Sequence, residues 1–347
     1  MLHFVRVDSD RESMTIGALN AIKNSNIIIG YEKNLIMIED ITKGKIIHEE
    51  AINDKIPLIE LGISMALDNE VALIDYEDPE TFGLANLFFQ NLGKYDEINF
   101  KIYPSTTSIN YDASLLGAPL TDFVAIDLSE DLITTSEIKK KIECGLKSNF
   151  VIVIYKGKKY FSLIKEILLN FKKEDLWIGL VSNGKHDIVK IENITENSFN
   201  SNTILIIGNR MTYVKDDRLI TPKSMIITPF LHPLTKEFYT NFINNESPEG
   251  SNKTCEYYSC HGMVNQQQCD FCFCPFYPCG DGSTGGKWIK NKNVWDCVDC
   301  TWIHEKYVVD FIKPKIKEII EDVDDLKTKK KDLLKIRREC ILNSDND

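Results

Sequence analysis

The chain has 347 residues, of which 43% are hydrophobic and 27% charged, and its formal net charge is −11 at pH 7. This length predicts two domains or slightly more, with enough apolar material for a sizeable core. The negative charge argues against non-specific binding to DNA, and the lack of both a long apolar run and a signal-peptide pattern predicts a cytoplasmic protein without a membrane span.

Short β-branched runs alternate with helix-period segments from the start of the chain to about residue 222. The runs that predict buried strands are residues 3–7, 27–30, 71–75, 98–103, 123–128 and 150–155. The segments that predict helices are residues 14–23, 57–67, 84–92, 136–146 and 161–170. This alternation predicts a parallel or mostly parallel sheet with helices on both faces.

Three later strands, predicted over residues 176–181, 187–192 and 203–207, have less helix between them. Their spacing predicts a mixed sheet in a second lobe that begins near Pro119. The predicted fold is therefore α/β with two lobes, a parallel-sheet lobe over residues 1–118 and a mixed-sheet lobe over residues 119–230.

Beyond residue 230 the sequence changes character. The polar stretch 244–253 predicts a linker, and a cysteine-rich domain is predicted over residues 245–304. Residues 305–347 are rich in charge, and their apolar residues lie mostly three or four apart. This spacing predicts one helix with Pro314 in its first turn, whose apolar face needs a partner surface.

The first two-thirds of the chain also carry an ordered set of motifs. They are the segment 14–31 with its Gly-Tyr ending, Asp78-Pro79 with Gly83 after it, and residues 104–108, 113–120, 123–132, 150–155 and 206–213. Together, over roughly residues 2–224, they resemble the tetrapyrrole methylase family, and most closely its precorrin-3B C17-methyltransferase branch.

The resemblance implies two α/β lobes that hold S-adenosylmethionine between them. It implies methyl transfer to C17 of a tetrapyrrole, precorrin-3B or cobalt-factor III, with ring contraction, in cobalamin biosynthesis. It also implies a homodimer. Because the sulfonium methyl is already activated, such a reaction needs positioning of the reactants more than acid–base chemistry, and no catalytic residue is assigned.

Carried over position by position, the resemblance implies six cofactor-binding residues: Glu77, Asp78, Thr107, Ser108, Tyr155 and Lys156. Some of them have a second interpretation. Asp78 is also a common turn former before proline, and Thr107 and Ser108 could cap the helix that follows. Lys156, with Lys158 and Lys159, could contact substrate carboxylates or belong to a solvated turn.

The sequence departs from the family in its glycine loops. The first loop reads Arg6-Val-Asp-Ser-Asp10 where the family has Gly-x-Gly-Pro-Gly, and Glu77 and Ser105 replace two further glycines. Glycine at such positions allows positive φ and a close approach of ligand to backbone. Either the site is rebuilt around these residues, or the chain is a non-catalytic relative that binds a tetrapyrrole or relays metal.

Eight of the ten cysteines lie within residues 255–300, and disulfides are not expected among them in a reducing cytoplasm. Two Cys-x2-Cys pairs and four more thiols predict metal binding by Cys255, Cys260, Cys269, Cys272, Cys274, Cys279, Cys297 and Cys300. Zinc is the preferred metal and an iron–sulfur cluster the alternative. Eight thiols could form two sites of four, but the sequence leaves the pairing open, and His261 or His304 could replace a cysteine.

Residues 271–277 and the ending Trp295 to His304 resemble a cysteine-rich small domain found alone or attached to corrin-pathway proteins. The segment has few apolar residues, so we expect residues 255–304 to fold only around metal. A zinc ribbon that binds nucleic acid is disfavoured, because the segment lacks a basic flank.

Overall fold

The computed structural model describes residues 1–7, 11–50, 55–76, 83–91, 98–129, 133–171, 176–200, 202–263, 266–292 and 294–343. The chain forms two compact units, Met1–Ser114 and Leu115–Asp347. Within the described ranges, no helix combines the length and the apolar character that crossing a membrane requires.

The first unit is built on a parallel sheet of β1 (Leu2–Arg6), β2 (Ile27–Tyr31), β3 (Ile46–Glu50), β4 (Val71–Asp75) and β5 (Phe100–Ile102). The strand order is β3-β2-β4-β1-β5, and every pair is parallel. The predicted parallel sheet is therefore confirmed. Only β3, at the edge of the sheet, corresponds to no predicted strand.

The helices of this unit are α1 (Ile16–Asn24), α2 (Glu32–Leu35), α3 (Lys55–Ala66), α4 (Leu84–Gln90) and α5 (Ser108–Leu116). Thr15 fixes the start of α1, since its Oγ1 accepts a hydrogen bond from the N–H of Ala18 at 3.2 Å. Phe4 of β1 and Phe88 of α4 are fully buried, with ring centroids 5.0 Å apart. Burial of such a side chain stabilises the fold by about 2–3 kcal/mol.

The second unit contains β6 (Gly117–Ala118), β7 (Phe123–Asp127), β8 (Val151–Tyr155), β9 (Trp177–Ser182), β10 (Lys185–Lys190), β11 (Ile204–Ile207), β12 (Tyr213–Lys215) and β13 (Arg218–Ile220), with α6 (Thr135–Lys147) and α7 (Phe161–Asn170). Its main sheet has the order β10-β9-β11-β8-β7. Only β7 and β8 pair in parallel, and the other pairs are antiparallel. The predicted mixed sheet is confirmed.

Gly117 belongs to the 113–120 motif and has a structural reason to be glycine. Its φ is +124°, and an added Cβ would lie 3.1 Å from Cβ of Arg218 and 3.2 Å from the carbonyl oxygen of Leu219. This close approach lets β6 pair in parallel with β13 in the small sheet β12-β13-β6.

The rest of the second unit holds α8 (Pro233–Ile243), β14 (Lys287–Ile289), β15 (Val294–Asp296), α9 (Lys306–Ile319), α10 (Asp325–Thr328) and α11 (Lys330–Asn343). Phe271 and Phe276 of the cysteine-rich segment are fully buried in one core with apolar residues of α8, α9 and α11. The expectation that this segment lacks a core is therefore wrong, because the flanking helices supply one.

The predicted single C-terminal helix is divided into α9, α10 and α11, and the position predicted for Pro314 is wrong. Pro314 lies inside α9 and not in its first turn. The helix extends upstream because Val308 and Ile312 are buried in the shared core, and this packing outweighs the cost of an internal proline, about 3 kcal/mol. The same core buries Ile316 and Leu333, so the apolar face needs no second chain to cover it.

Candidate functional site

Three loops of the first unit leave its sheet at the same edge. β4 and β5 flank β1, and the three strands are parallel, so their carboxyl ends at Arg6, Asp75 and Ile102 are neighbours. In the sequence, these three strand ends are followed by the first, second and third loops that carry the family resemblance. Ligands of parallel α/β sheets bind at the carboxyl edge where the strand order reverses, which makes this edge the candidate site.

Arg6 connects the second loop to the third. Its Nε donates to the carbonyl oxygen of Tyr76 at 3.0 Å, and its Nη1 donates to the carbonyl oxygen of Thr106. The side chain is 3% exposed. Neither Arg6 nor Ser105 has a positive φ, so the loss of the family glycine strains the backbone at neither position.

Asp75 lies at the same edge and was not singled out from the sequence. It ends β4, pairs with Arg6 in the sheet register and is buried. Its Oδ1 accepts a hydrogen bond from the N–H of Tyr76 at 2.7 Å. The available signal was a carboxylate that ends an otherwise apolar strand directly before a ligand loop.

The structure describes only some of the residues of the first unit that are predicted to contact the cofactor. Glu77 and Asp78 lie outside the described residues, as do Asp8 and Asp10. Thr107 caps α5, since its Oγ1 accepts from the N–H of Asn110 at 3.3 Å. The capping interpretation of Thr107 is confirmed, and a contact of Thr107 or Ser108 with cofactor stays a prediction.

Tyr155 and Lys156 lie at the carboxyl end of β8 in the second unit. Because β7 and β8 are parallel, Asp127 ends beside Tyr155, and the N–H of Leu128 donates to the carbonyl oxygen of Tyr155 at 3.1 Å. Lys156 is exposed and has a φ of 54°. A left-handed backbone costs a lysine about 1–2 kcal/mol, and strain of this kind is common at functional sites.

Lys158 and Lys159 are exposed in the short 3₁₀ helix Gly157–Tyr160 that follows. The ammonium of Lys159 lies 5.3 Å from the ring centroid of Tyr160. With Lys156 they form a cationic cluster at a strand end, the position that the sequence predicted for it. The cluster suits a ligand with many carboxylates, and the solvated-turn interpretation also fits its exposure.

The eight clustered cysteines fall into two neighbourhoods. The first cysteine group consists of Cys255, Cys260, Cys269 and Cys272. The carbonyl oxygen of Asn252 accepts from the N–H of Cys255 at 3.3 Å, and the N–H of Asn252 donates to Sγ of Cys269 at 3.4 Å. Burial, and after it the thiols of Cys260, Cys269 and Cys255, raise the pKa of Cys272.

The second cysteine group consists of Cys274, Cys279, Cys297 and Cys300. All four line one cavity of about 690 Å³, which Cys272 also borders. Sγ of Cys300 donates to Oγ1 of Thr284 at 3.4 Å, and Sγ of Cys279 donates to the carbonyl oxygen of Asp281 at 3.7 Å. Burial, and after it the thiols of Cys279 and Cys300, raise the pKa of Cys297 to about 12.

Two buried cations of α11 lie beside the second cysteine group. Nζ of Lys330 donates to the carbonyl oxygens of Phe276 at 2.6 Å and Tyr277 at 2.7 Å. Burial lowers the pKa of Lys330 to about 8. Arg337 donates from Nη1 to Oδ2 of Asp281 at 2.5 Å and from Nη2 to Oγ1 of Thr284 at 2.9 Å.

The rings of His261 and His304 line the same cavity and are in contact, with centroids 4.4 Å apart and planes tilted by 35°. Nδ1 of His261 lies 3.0 Å from the carbonyl oxygen of Val298, and Nδ1 of His304 lies 2.8 Å from that of Gln268. Because a carbonyl only accepts, each Nδ1 donates the hydrogen, and in the neutral tautomer that makes this bond Nε2 is the atom with the lone pair. Metal-binding histidines use this arrangement, so replacement of a cysteine by a histidine remains open.

Within the described ranges, no three His, Cys, Asp or Glu side chains are positioned to hold a metal ion. The donor set nevertheless suits one, because each neighbourhood offers four soft sulfur ligands, the number that zinc and iron–sulfur clusters take from protein. The amide of Gln267 also donates to Sγ of Cys260 at 3.0 Å. Donors to sulfur are the contacts that stabilise a thiolate.

Comparison with known proteins adds two family matches. Residues 8–184 match the family described as tetrapyrrole (corrin/porphyrin) methylases, and residues 246–327 match the family described as a cysteine-rich small domain. Both resemblances inferred from the sequence are thereby confirmed.

Two relatives share the same name, probable cobalt-factor III C(17)-methyltransferase. The protein from Methanothermobacter thermautotrophicus is 39% identical over 99% of this chain and 99% of its own length. The protein from Methanocaldococcus jannaschii is 30% identical over 65% of this chain and 98% of its own length. Among solved structures, that of the methyltransferase CobJ has a TM-score of 0.59 and 22% identity, and it covers 64% of this chain and 99% of its own. The structural likeness supports the fold.

Proposed function

We infer the function from one premise: the chain belongs to the tetrapyrrole (corrin/porphyrin) methylase family. It is an S-adenosylmethionine-dependent C-methyltransferase. We propose that it acts in cobalamin biosynthesis and methylates C17 of cobalt-factor III, with ring contraction, and that cobalt-free precorrin-3B is the alternative substrate. The observation that carries this proposal is the 39% identity to the Methanothermobacter relative over 99% of both chains.

S-adenosylmethionine supplies a methyl group that its sulfonium already activates, so the protein's task is to position and orient. In the first unit, Thr107 and Ser108 lie at the start of α5, at the candidate edge. We propose that they bind the cofactor together with Glu77 and Asp78, as the family resemblance implies. Buried Asp75 can accept hydrogen bonds from amino or hydroxyl groups, which fits such a ligand. Arg6 adds a positive charge that favours a methionyl carboxylate and offsets the carboxylates that replace the family glycines.

We propose that Tyr155 and Lys156 of the second unit also bind the cofactor, as the family resemblance implies. We propose that Lys156, Lys158 and Lys159 attract the peripheral carboxylates of the tetrapyrrole, since they are exposed at the end of a parallel strand pair. Each such contact is solvent-accessible and contributes about 1 kcal/mol or less. Lysines of this kind therefore orient the macrocycle and add little to the chemical step.

We also propose that the cysteine-rich region binds metal, with zinc preferred over an iron–sulfur cluster. The support is the four soft ligands in each neighbourhood and the hydrogen-bond donors that point at sulfur. Reduced thiols in this number suit the cytosol, where glutathione and thioredoxin keep cysteines from forming disulfides.

The experiment that tests the catalytic proposal uses the purified full-length chain with S-adenosylmethionine and cobalt-factor III. We expect mass spectrometry to show a product that has gained one methyl group, and calorimetry to show S-adenosylmethionine binding without acceptor. A protein that binds the tetrapyrrole but not S-adenosylmethionine would instead be a non-catalytic relative.

A homodimer is proposed on the family resemblance alone, since the apolar faces of α9 and α11 are covered within the chain. Light scattering at micromolar concentration should give twice the chain mass of 39.8 kDa. A single-chain mass would contradict the proposal.

A further inference from the structure

We propose that Cys274, Cys279, Cys297 and Cys300 bind a single metal centre, and that Lys330 and Arg337 of α11 neutralise its negative charge. This inference rests on the proposed metal binding. It adds which thiols share a centre, what balances the charge and why the C-terminal helix packs against the cysteine-rich segment.

The grouping follows from shared contacts. Asp281 accepts from Cys279 through its carbonyl oxygen and from Arg337 through its carboxylate. Thr284 accepts from both Cys300 and Arg337 through its hydroxyl. Arg337 is therefore linked to the thiols of Cys279 and Cys300 through one shared hydrogen-bond partner each. All four thiols of the second cysteine group line the same cavity.

The charge on this side of the cavity is unbalanced without a metal centre. Lys330 is 2% exposed, and its hydrogen-bond partners among the described residues are two backbone carbonyls, not a carboxylate. Burial of an ammonium group costs several kcal/mol unless an opposite charge compensates it. Arg337 already pairs with the buried carboxylate of Asp281, and within the described part of the chain Lys330 forms no ion pair with a carboxylate.

A tetrathiolate centre supplies the missing negative charge. Four thiolates around one Zn²⁺ carry a net charge of −2, and a [4Fe–4S]²⁺ cluster with four cysteines carries the same charge. Both alternatives therefore place two negative charges on a centre held by four sulfur atoms. The absorption spectrum distinguishes the iron–sulfur cluster from zinc, because the cluster is coloured and zinc is not.

The first cysteine group has a different environment. Cys255, Cys260 and Cys272 are exposed. Among the described residues, the donors to its sulfur atoms are neutral, the N–H of Asn252 and the amide of Gln267. Chelators should therefore reach the first centre sooner than the second. We expect two equivalents of zinc, or two clusters, per chain, released in two phases.

Serine substitutions test the grouping on the full-length chain purified without oxygen. Cys279→Ser/Cys300→Ser should remove one equivalent and leave the other, and Cys255→Ser/Cys260→Ser should do the reverse. Loss of both equivalents from each double variant, or of neither, would overturn the grouping. Absence of any metal from the native chain would instead refute the proposed metal binding itself.

Lys330→Met tests the charge balance, with Lys331→Met as a matched control because Lys331 is the exposed neighbour on the same helix. Competition with a chromophoric chelator should show a metal affinity about 10- to 100-fold weaker at one site of Lys330→Met. The other site and both sites of Lys331→Met should be unchanged. Equal affinities in the two variants would overturn the role of Lys330, and the unaffected site shows that the variant is folded.

Discussion

The guanidinium of Arg6 donates a hydrogen bond to the carbonyl oxygen of Thr106, one hundred residues further along the chain. The same side chain bonds the carbonyl oxygen of Tyr76, so one residue fixes the spacing of the second and third loops. A glycine at position 6 would leave that spacing to the backbone or to a ligand. Arg6 replaces a glycine of the family pattern, and its side chain holds two loops of the candidate site together.

Arg6→Ala should lower the free energy of unfolding by about 2–4 kcal/mol, since it removes two charge-assisted hydrogen bonds and leaves a cavity. S-adenosylmethionine binding should weaken by about tenfold or more because the loops lose their fixed spacing. Arg6→Lys keeps the positive charge but has one donor group, so its stability and its S-adenosylmethionine affinity should lie between those of the native chain and of Arg6→Ala. Urea titration and calorimetry measure the two effects.

Lys33→Ala is the control for this experiment, because Lys33 is an exposed cation of the same unit. It should change the free energy of unfolding by less than about 0.5 kcal/mol. If Arg6→Ala bound S-adenosylmethionine as tightly as the native chain, the loop spacing would not depend on Arg6.

Lys156→Gly separates the two interpretations of the lysine cluster. Glycine accepts the left-handed backbone, so the free energy of unfolding should stay the same or rise by up to about 1 kcal/mol. If the ammonium contacts a substrate carboxylate, KM for the tetrapyrrole should rise by about fivefold with kcat unchanged.

The control is Lys139→Ala, which removes an exposed lysine of α6. It should leave both kinetic constants unchanged. A KM that does not change in Lys156→Gly would support the solvated-turn interpretation.

The sequence predicted most of the alternating elements of both lobes because most of the strands in the two main sheets are largely apolar runs. The edge strand β3 was not predicted because only its first two residues, Ile46 and Ile47, are apolar and the strand ends in two glutamates. Both isoleucines are exposed. The helix α8 was not predicted either. Its sequence signals were Pro233 at the first position of the helix and the apolar residues Phe238, Tyr239 and Phe242, which are buried in the structure.

The candidate site was only partly predictable. Motif order identified the loops, but the function of Arg6 depends on contacts with residues far along the chain, which no local pattern contains. The same holds for the cysteines: Cys272 and Cys274 are close neighbours in sequence, and we propose that they belong to different groups. Position along the chain does not decide which thiols meet in space.

Asp325 gives the stability of the C-terminal helices a pH dependence. Burial alone would raise its pKa, but hydrogen bonds from the N–H groups of Glu321 and Asp322, with Lys329 and Thr328, lower the pKa to about 2. Because the folded pKa lies below the ordinary value of 3.8, the stabilisation is present above about pH 4 and is lost as the pH falls toward 2.

Asp325→Asn should therefore lower the free energy of unfolding by about 1–2 kcal/mol at neutral pH. Its difference from the native chain should shrink as the pH falls from about 4 to about 2. The neighbour Asp324 is exposed and makes no capping hydrogen bond with its side chain, so Asp324→Asn should show a small difference that does not change with pH. A constant difference for Asp325→Asn would contradict the assignment.

Metal removal should unfold part of the second unit and spare the rest. The hairpin of β14 and β15 packs Trp288 against Trp295 with ring centroids 5.2 Å apart, and it lies between cysteines of the second group along the chain. The helices α8, α9 and α11 keep their own core with Phe271 and Phe276. Hydrogen exchange on the chelated full-length chain should therefore show fast exchange in the hairpin and continued protection in α8 and α9.

α11 provides the decisive comparison in that experiment. It shares the apolar core with α9, but it also carries Lys330, whose charge loses its counterpart when the metal centre is removed, while Arg337 keeps its ion pair with Asp281. Its protection should fall further than that of α9, and protection of β1 and β4 in the first unit should not change. If α9 and α11 exchanged as fast as the hairpin, the shared core would be too weak to hold the helices, and the segment would depend on metal for its fold after all.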